Sequence, residues 1–119
     1  MKDSLLNRLD ELGVDVETAM EMRFMNDEET YRECLLNFIE DPSMGNLEAA
    51  VKSRDDQLAI RSVHTLKGLA DTLGFLSLFD EANDMLNAFR ADRGLSAYAM
   101  LPDVRREYNA VVDAIKPFV

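Results

Sequence analysis

One histidine occurs in this 119-residue chain, His64, and it stands in the string His64-Thr65-Leu66-Lys67-Gly68-Leu69-Ala70. The stretch around it is helical in pattern, which puts Lys67 and Gly68 one turn beyond the imidazole on the same face. An imidazole with the ordinary pKa of about 6.5 is largely neutral at physiological pH and is then a capable nucleophile. Histidine is among the side chains that form covalent intermediates, and a neighbouring ammonium suits an anionic group arriving at the ring. A phosphoryl group fits that chemistry, because its transfer asks mainly for positioning and charge stabilisation. Glycine inside a helix costs about 1 kcal/mol relative to alanine. At position 68 the reason for accepting that cost is room for something bulky to approach His64.

The helix that must position these groups is expected over residues 56–73, with Gly74 as its C-cap. Stepping about 100° per residue separates two faces. Ala59, Ser62, Val63, Leu66, Leu69, Ala70 and Leu73 form an inward stripe, while Gln57, Ile60, Arg61, His64, Lys67, Gly68 and Asp71 form an outward one. His64 therefore faces solvent, not core. No Asp or Glu lies between Gln57 and Ala70, so Arg61 and Lys67 make a locally basic strip in a chain whose formal net charge is -10. The plainer account of two such cations is an ordinary solvated helix face.

Little else in the chain offers chemistry. No glycine-rich phosphate loop is present, which argues against ATP binding. One histidine and one cysteine, Cys34, far apart in sequence, make a poor metal site. Asp55-Asp56 and Asp80-Glu81 read as caps and solvated faces, and the seven methionines as core filler. No cofactor is expected. With a single cysteine no internal disulfide can form, and a reducing, cytoplasmic setting is the simplest reading. No apolar run approaches the length of a membrane span, and the residues after Met1 do not read as a signal peptide. The negative charge disfavours nucleic acid and anionic membrane as partners.

The remaining elements are also helical in pattern, so an all-α fold is expected. Ser4 can cap a short helix through Leu5, Leu6, Leu9 and Leu12 that Gly13 ends, and Asp15 can cap a second carrying Val16 and Met20. Residues 1–25 would thus form an N-terminal helical cover. Asn26 or Asp27 opens a longer helix, 27–52, with a break or kink at Asp41-Pro42-Ser43. Further helices are expected over 76–91 and 102–115, with Gly94 beyond the end of the first and residues 96–101 unassigned. Four longer helices with short connections predict an antiparallel up-down four-helix bundle with the short N-terminal segments packed against it. The whole of 1–119 reads as a single domain.

At this point the residues resemble a family. His64-x-x-Lys67-Gly68-x-Ala70-x-x-Leu73-Gly74 is similar to the signature of histidine-containing phosphotransfer domains, the four-helix bundles of two-component phosphorelays. Phe24-x-x-Asp27-Glu28-Glu29-x-Tyr31-x-x-x-Leu35-x-x-Phe38 resembles the helix that precedes the histidine helix in that family, and Leu78-x-x-x-Ala82-x-x-x-Leu86-x-x-x-Arg90 resembles the one that follows it. The resemblance spans about residues 13–116. It implies that His64 accepts a phosphoryl group from a receiver-domain aspartate and passes it to another. Lys67 would stabilise that group and Gly68 would give docking clearance, with Gln57, Ile60, Arg61 and Asp71 around them at the docking face. Partners would be receiver domains and a hybrid histidine kinase, with magnesium held by the receiver, and the carrier would be a stand-alone monomer.

Two positions depart from the family pattern. Leu69 replaces a usually small residue and is expected to alter packing, since it falls on the inward face. Asp71 puts a carboxylate on the docking face, where it would weaken phosphate affinity or select a partner. Two other classes stay open. One is a bundle that docks on receivers or other helices without transferring phosphate; the other is an enzyme, either a kinase dimerisation domain or a phosphatase.

Overall fold

Three aspartates start three of the helices. Asp15, Asp27 and Asp55 each accept a hydrogen bond from the backbone N–H three residues on, of Thr18, Thr30 and Leu58, at 3.1, 3.2 and 3.1 Å. Each satisfies one of the donors that a helix start leaves without an intrahelical partner. The computed structural model describes residues 4–119. Over them the chain forms α1 (Ser4–Leu12), α2 (Val16–Arg23), α3 (Glu28–Phe38), α4 (Ser43–Ser53), α5 (Asp56–Leu73), α6 (Leu76–Arg90), α7 (Gly94–Ala99) and α8 (Leu101–Ile115), followed by a 3-10 turn, Lys116–Phe118. No strand occurs among the described residues, and none of their helices is long and apolar enough to cross a membrane.

Several boundaries differ from expectation. The break or kink expected at Asp41-Pro42-Ser43 is a full break that divides 27–52 into two helices, α3 and α4, because Pro42 has no N–H to continue the ladder. The Asp41 carboxylate then accepts from the Ser43 N–H at 2.9 Å and helps start α4 afresh. Gly94 lies beyond the end of α6, as expected, and opens α7, which the sequence pattern does not assign, and α8 begins at Leu101. Ser4 is itself helical and so is not the cap before α1.

Helix α5 is the centre of the packing. It lies between α4 and α6, which are also its neighbours in sequence, and α2 and α3 rest on its C-terminal half. Helix α8 closes on α6 and α1, with lesser contacts to α3, α4 and α7. The inward stripe of α5, namely Ala59, Ser62, Val63, Leu66, Ala70 and Leu73, is buried. It meets fully buried Leu35, Leu47, Leu78, Met85 and Leu86 from the surrounding helices. Each such leucine contributes about 1.5–3 kcal/mol by leaving water. Leu69 is the exception: it is only half-buried, and it borders a shallow surface groove with Cys34, Asn37 and Thr72.

The end of α5 is tightly built. Gly74 takes a left-handed conformation at φ 84°, and its N–H caps the carbonyl of Ala70. Its own carbonyl accepts from the Asp15 N–H at 2.9 Å, which docks the start of α2 on the turn. The buried phenol of Tyr31, on α3, donates to the Leu73 carbonyl at 2.8 Å. Burial pushes that phenol well above its ordinary pKa, and the nearby Asp15 charge acts in the same direction, so it stays a donor at physiological pH.

Candidate functional site

The outward strip of α5 brings the candidate residues together. His64 is exposed in the middle of the helix, more than two turns from either end, and among the described residues its ring makes no hydrogen bond or ion pair. Gln57, Arg61, Gly68 and Asp71 are exposed with it, while Ile60 and Lys67 are half-buried on its flanks. All seven lie within about 60° of one another's mean direction around the axis. The helix that carries them is well satisfied internally. The hydroxyls of Thr65 and Thr72 donate to the carbonyls of Arg61 and Gly68, each at 3.0 Å, so neither side chain reaches toward the imidazole.

Lys67 does not extend freely into water. Its ammonium lies 5.7 Å from the centre of the Phe79 ring on α6, within the range of a cation–π contact worth about 0.5–1 kcal/mol at an exposed site. Its stem covers the α5–α6 seam while the charge stays at the edge of the strip. Gly68 faces open space: a Cβ built on it would meet no atom within 4 Å. Nothing in the fold requires glycine there.

Asp71 is not the bare carboxylate that the helix pattern implied. Arg23, the last residue of α2, donates to it at 2.6 Å. The pair closes one side of a groove that also contains Ala19, Met22 and Leu76, of which Met22 and Leu76 are exposed. Sequence reasoning missed Arg23 and Phe79. Arg23 stands 48 residues from Asp71 in the chain, and no local pattern links them. Phe79 carried a faint signal, because it is an aromatic residue just off the buried stripe of α6.

The strip thus offers one unencumbered imidazole, an ammonium a turn away, a guanidinium on the other side, and an unobstructed approach. Those groups can receive a phosphoryl group and hold it electrostatically. Among the described residues, no three His, Cys, Asp or Glu side chains are grouped so as to hold a metal ion. Comparison with known protein families matches residues 31–114 to the Hpt domain. That match takes in α4, α5, α6 and α7 whole, and all but the ends of α3 and α8. No curated protein and no solved structure matches the chain.

Proposed function

The chain belongs to the Hpt domain family, whose members serve phosphotransfer in two-component phosphorelays as phosphocarriers and not as catalytic enzymes, and from that premise we propose that His64 is the phosphoryl acceptor. A neutral ring nitrogen attacks the phosphorus of an aspartyl phosphate on a receiver domain. The N–P bond forms, the P–O bond to the aspartate breaks, the carboxylate leaves, and the ring's surplus proton goes to solvent. The reverse step hands the group to a second receiver. Lys67 stabilises the charge on the phosphoryl oxygens, and Gly68 keeps the approach clear. Gln57, Ile60, Arg61 and Asp71 surround the acceptor at the docking face. In this reading α3 with α4, then α5, α6 and α8, form the up-down bundle of a cytoplasmic, monomeric carrier.

The observation that carries the proposal is the combination of an exposed, unpartnered His64 with empty space over Gly68. The test is incubation with a panel of phosphorylated receiver domains. Wild type is expected to gain acid-labile phosphate, and His64→Gln to gain none. The melting transition of the variant should be displaced by no more than about 0.5 kcal/mol, as is usual for an exposed substitution. Undiminished labelling of His64→Gln would refute the assignment. Receiver binding without any label would make the chain a docking module instead.

A further inference from the structure

Between Gln57 and Leu73, Asp71 is the only carboxylate that α5 carries. It shares the outward strip with His64, seven residues away, which is about 10 Å along the axis. A carboxylate there opposes the arrival of a phosphoryl group, which is itself an anion. The chain already carries a formal net charge of -10, so any further negative field on this face counts against association. Yet Asp71 is paired with Arg23 at 2.6 Å. The two side chains are 48% and 52% exposed. An ion pair that open adds little to stability, so its main consequence is the field it leaves at the strip. With Asp71 neutralised, Arg61 and Lys67 dominate that field.

We propose that Arg23 is a positioning residue for phosphotransfer, which acts through Asp71 by masking its charge from an incoming phosphorylated receiver. The proposal rests on the carrier reading of His64. Arg23 comes from α2, outside the matched span 31–114. The N-terminal segment therefore sets the electrostatics of a site that it does not itself contain.

The experiment measures transfer from a receiver domain that phosphorylates the wild type, as KM and kcat, at low and high salt. At about 10 mM ionic strength the screening length is about 30 Å, and Arg23→Ala is expected to raise KM by about three- to tenfold while kcat stays within about twofold. At about 1 M salt the screening length is about 3 Å, and the difference should vanish. Asp71→Asn, which takes the opposing carboxylate off the docking face, should give a low-salt KM below that of Arg23→Ala. The double variant Arg23→Ala/Asp71→Asn should recover the wild-type KM, and Arg23→Lys should retain it. If Arg23 acted only by tethering α2, removing Asp71 could not rescue its loss. A double variant as impaired as Arg23→Ala would therefore overturn the proposal, as would an Arg23→Ala KM equal to wild type at low salt. Failure of every receiver to label the wild type would overturn the carrier reading and the masking with it. Normal labelling with a silent Arg23→Ala would overturn the masking alone.

Discussion

Two glycines in one stretch of chain obey opposite constraints. Gly74 is where it is because the fold leaves no choice. Its φ of 84° is a region that L side chains rarely adopt, and a Cβ there would lie 2.6 Å from the backbone oxygen of Asp15. Gly68, six residues earlier, sits in regular helix with nothing within 4 Å of where its Cβ would be. The first glycine closes a packed joint between α5 and α2. The second keeps a surface low beside His64, at a cost in helix propensity that no internal contact repays. Packing therefore accounts for the glycine at one end of α5, whereas no contact within the fold accounts for the one in its middle.

The largest effect should come from filling the packed joint. Gly74→Ala combines a left-handed residue, costing about 1–2 kcal/mol, with overlap against unyielding backbone. We expect it to lose at least about 2 kcal/mol in denaturant unfolding; a loss below about 1 kcal/mol would mean that α2 can slide away from the turn. A smaller loss is expected from Tyr31→Phe, which leaves the Leu73 carbonyl buried without the phenol that donates to it at 2.8 Å. That should cost about 1–2 kcal/mol and leave phosphotransfer close to wild type; an unchanged stability would show that the carbonyl finds water. The smallest stability effect belongs to the open face. Gly68→Ala should gain up to about 1 kcal/mol from propensity and still transfer. Gly68→Gln should stay within about 0.5 kcal/mol of wild type or better, yet transfer about tenfold or more slowly, because a displaced donor is poorly aligned. Wild-type transfer by Gly68→Gln would abolish the contrast between the two glycines.

What could be read in the sequence was local. Asp15 and Asp27 announce helix starts because a cap bonds to an N–H three residues on. The buried stripe of α5 follows from a period of 3.6, and the seven residues opposite it do share an exposed or half-exposed strip. The break at Pro42 was visible for the same reason, since the missing N–H belongs to the residue itself. What escaped depends on neighbours. Leu69 lies at the border between stripe and strip, where the adjacent helix decides burial, and it proved half-exposed. Helix α7 buries a single hydrophobic residue, Ala97, too little for a periodic signal. The charge at Asp71 looked free because its partner arrives from another helix. The all-helical class and the exposed strip around His64 were therefore accessible from short-range pattern, whereas the electrostatics of that strip were a property of tertiary structure.

The contact between Lys67 and Phe79 has an entropic side. A lysine side chain free in solvent samples many rotamers, and confining it can cost up to about 2 kcal/mol. Resting over the aromatic ring, the Lys67 ammonium has already given up part of that freedom when the chain folded. An anion arriving at the strip then meets a charge held close by, and the remaining ordering needed to engage it is smaller. The restraint is also weak: an exposed contact of this kind holds by about 0.5–1 kcal/mol, comparable with the attraction between two unit charges 4 Å apart even in bulk water. If His64 carries a phosphoryl group as proposed, that doubly charged group competes with the ring for the ammonium. Phe79 thus restrains the Lys67 ammonium without locking it, at 5.7 Å from the ring centre.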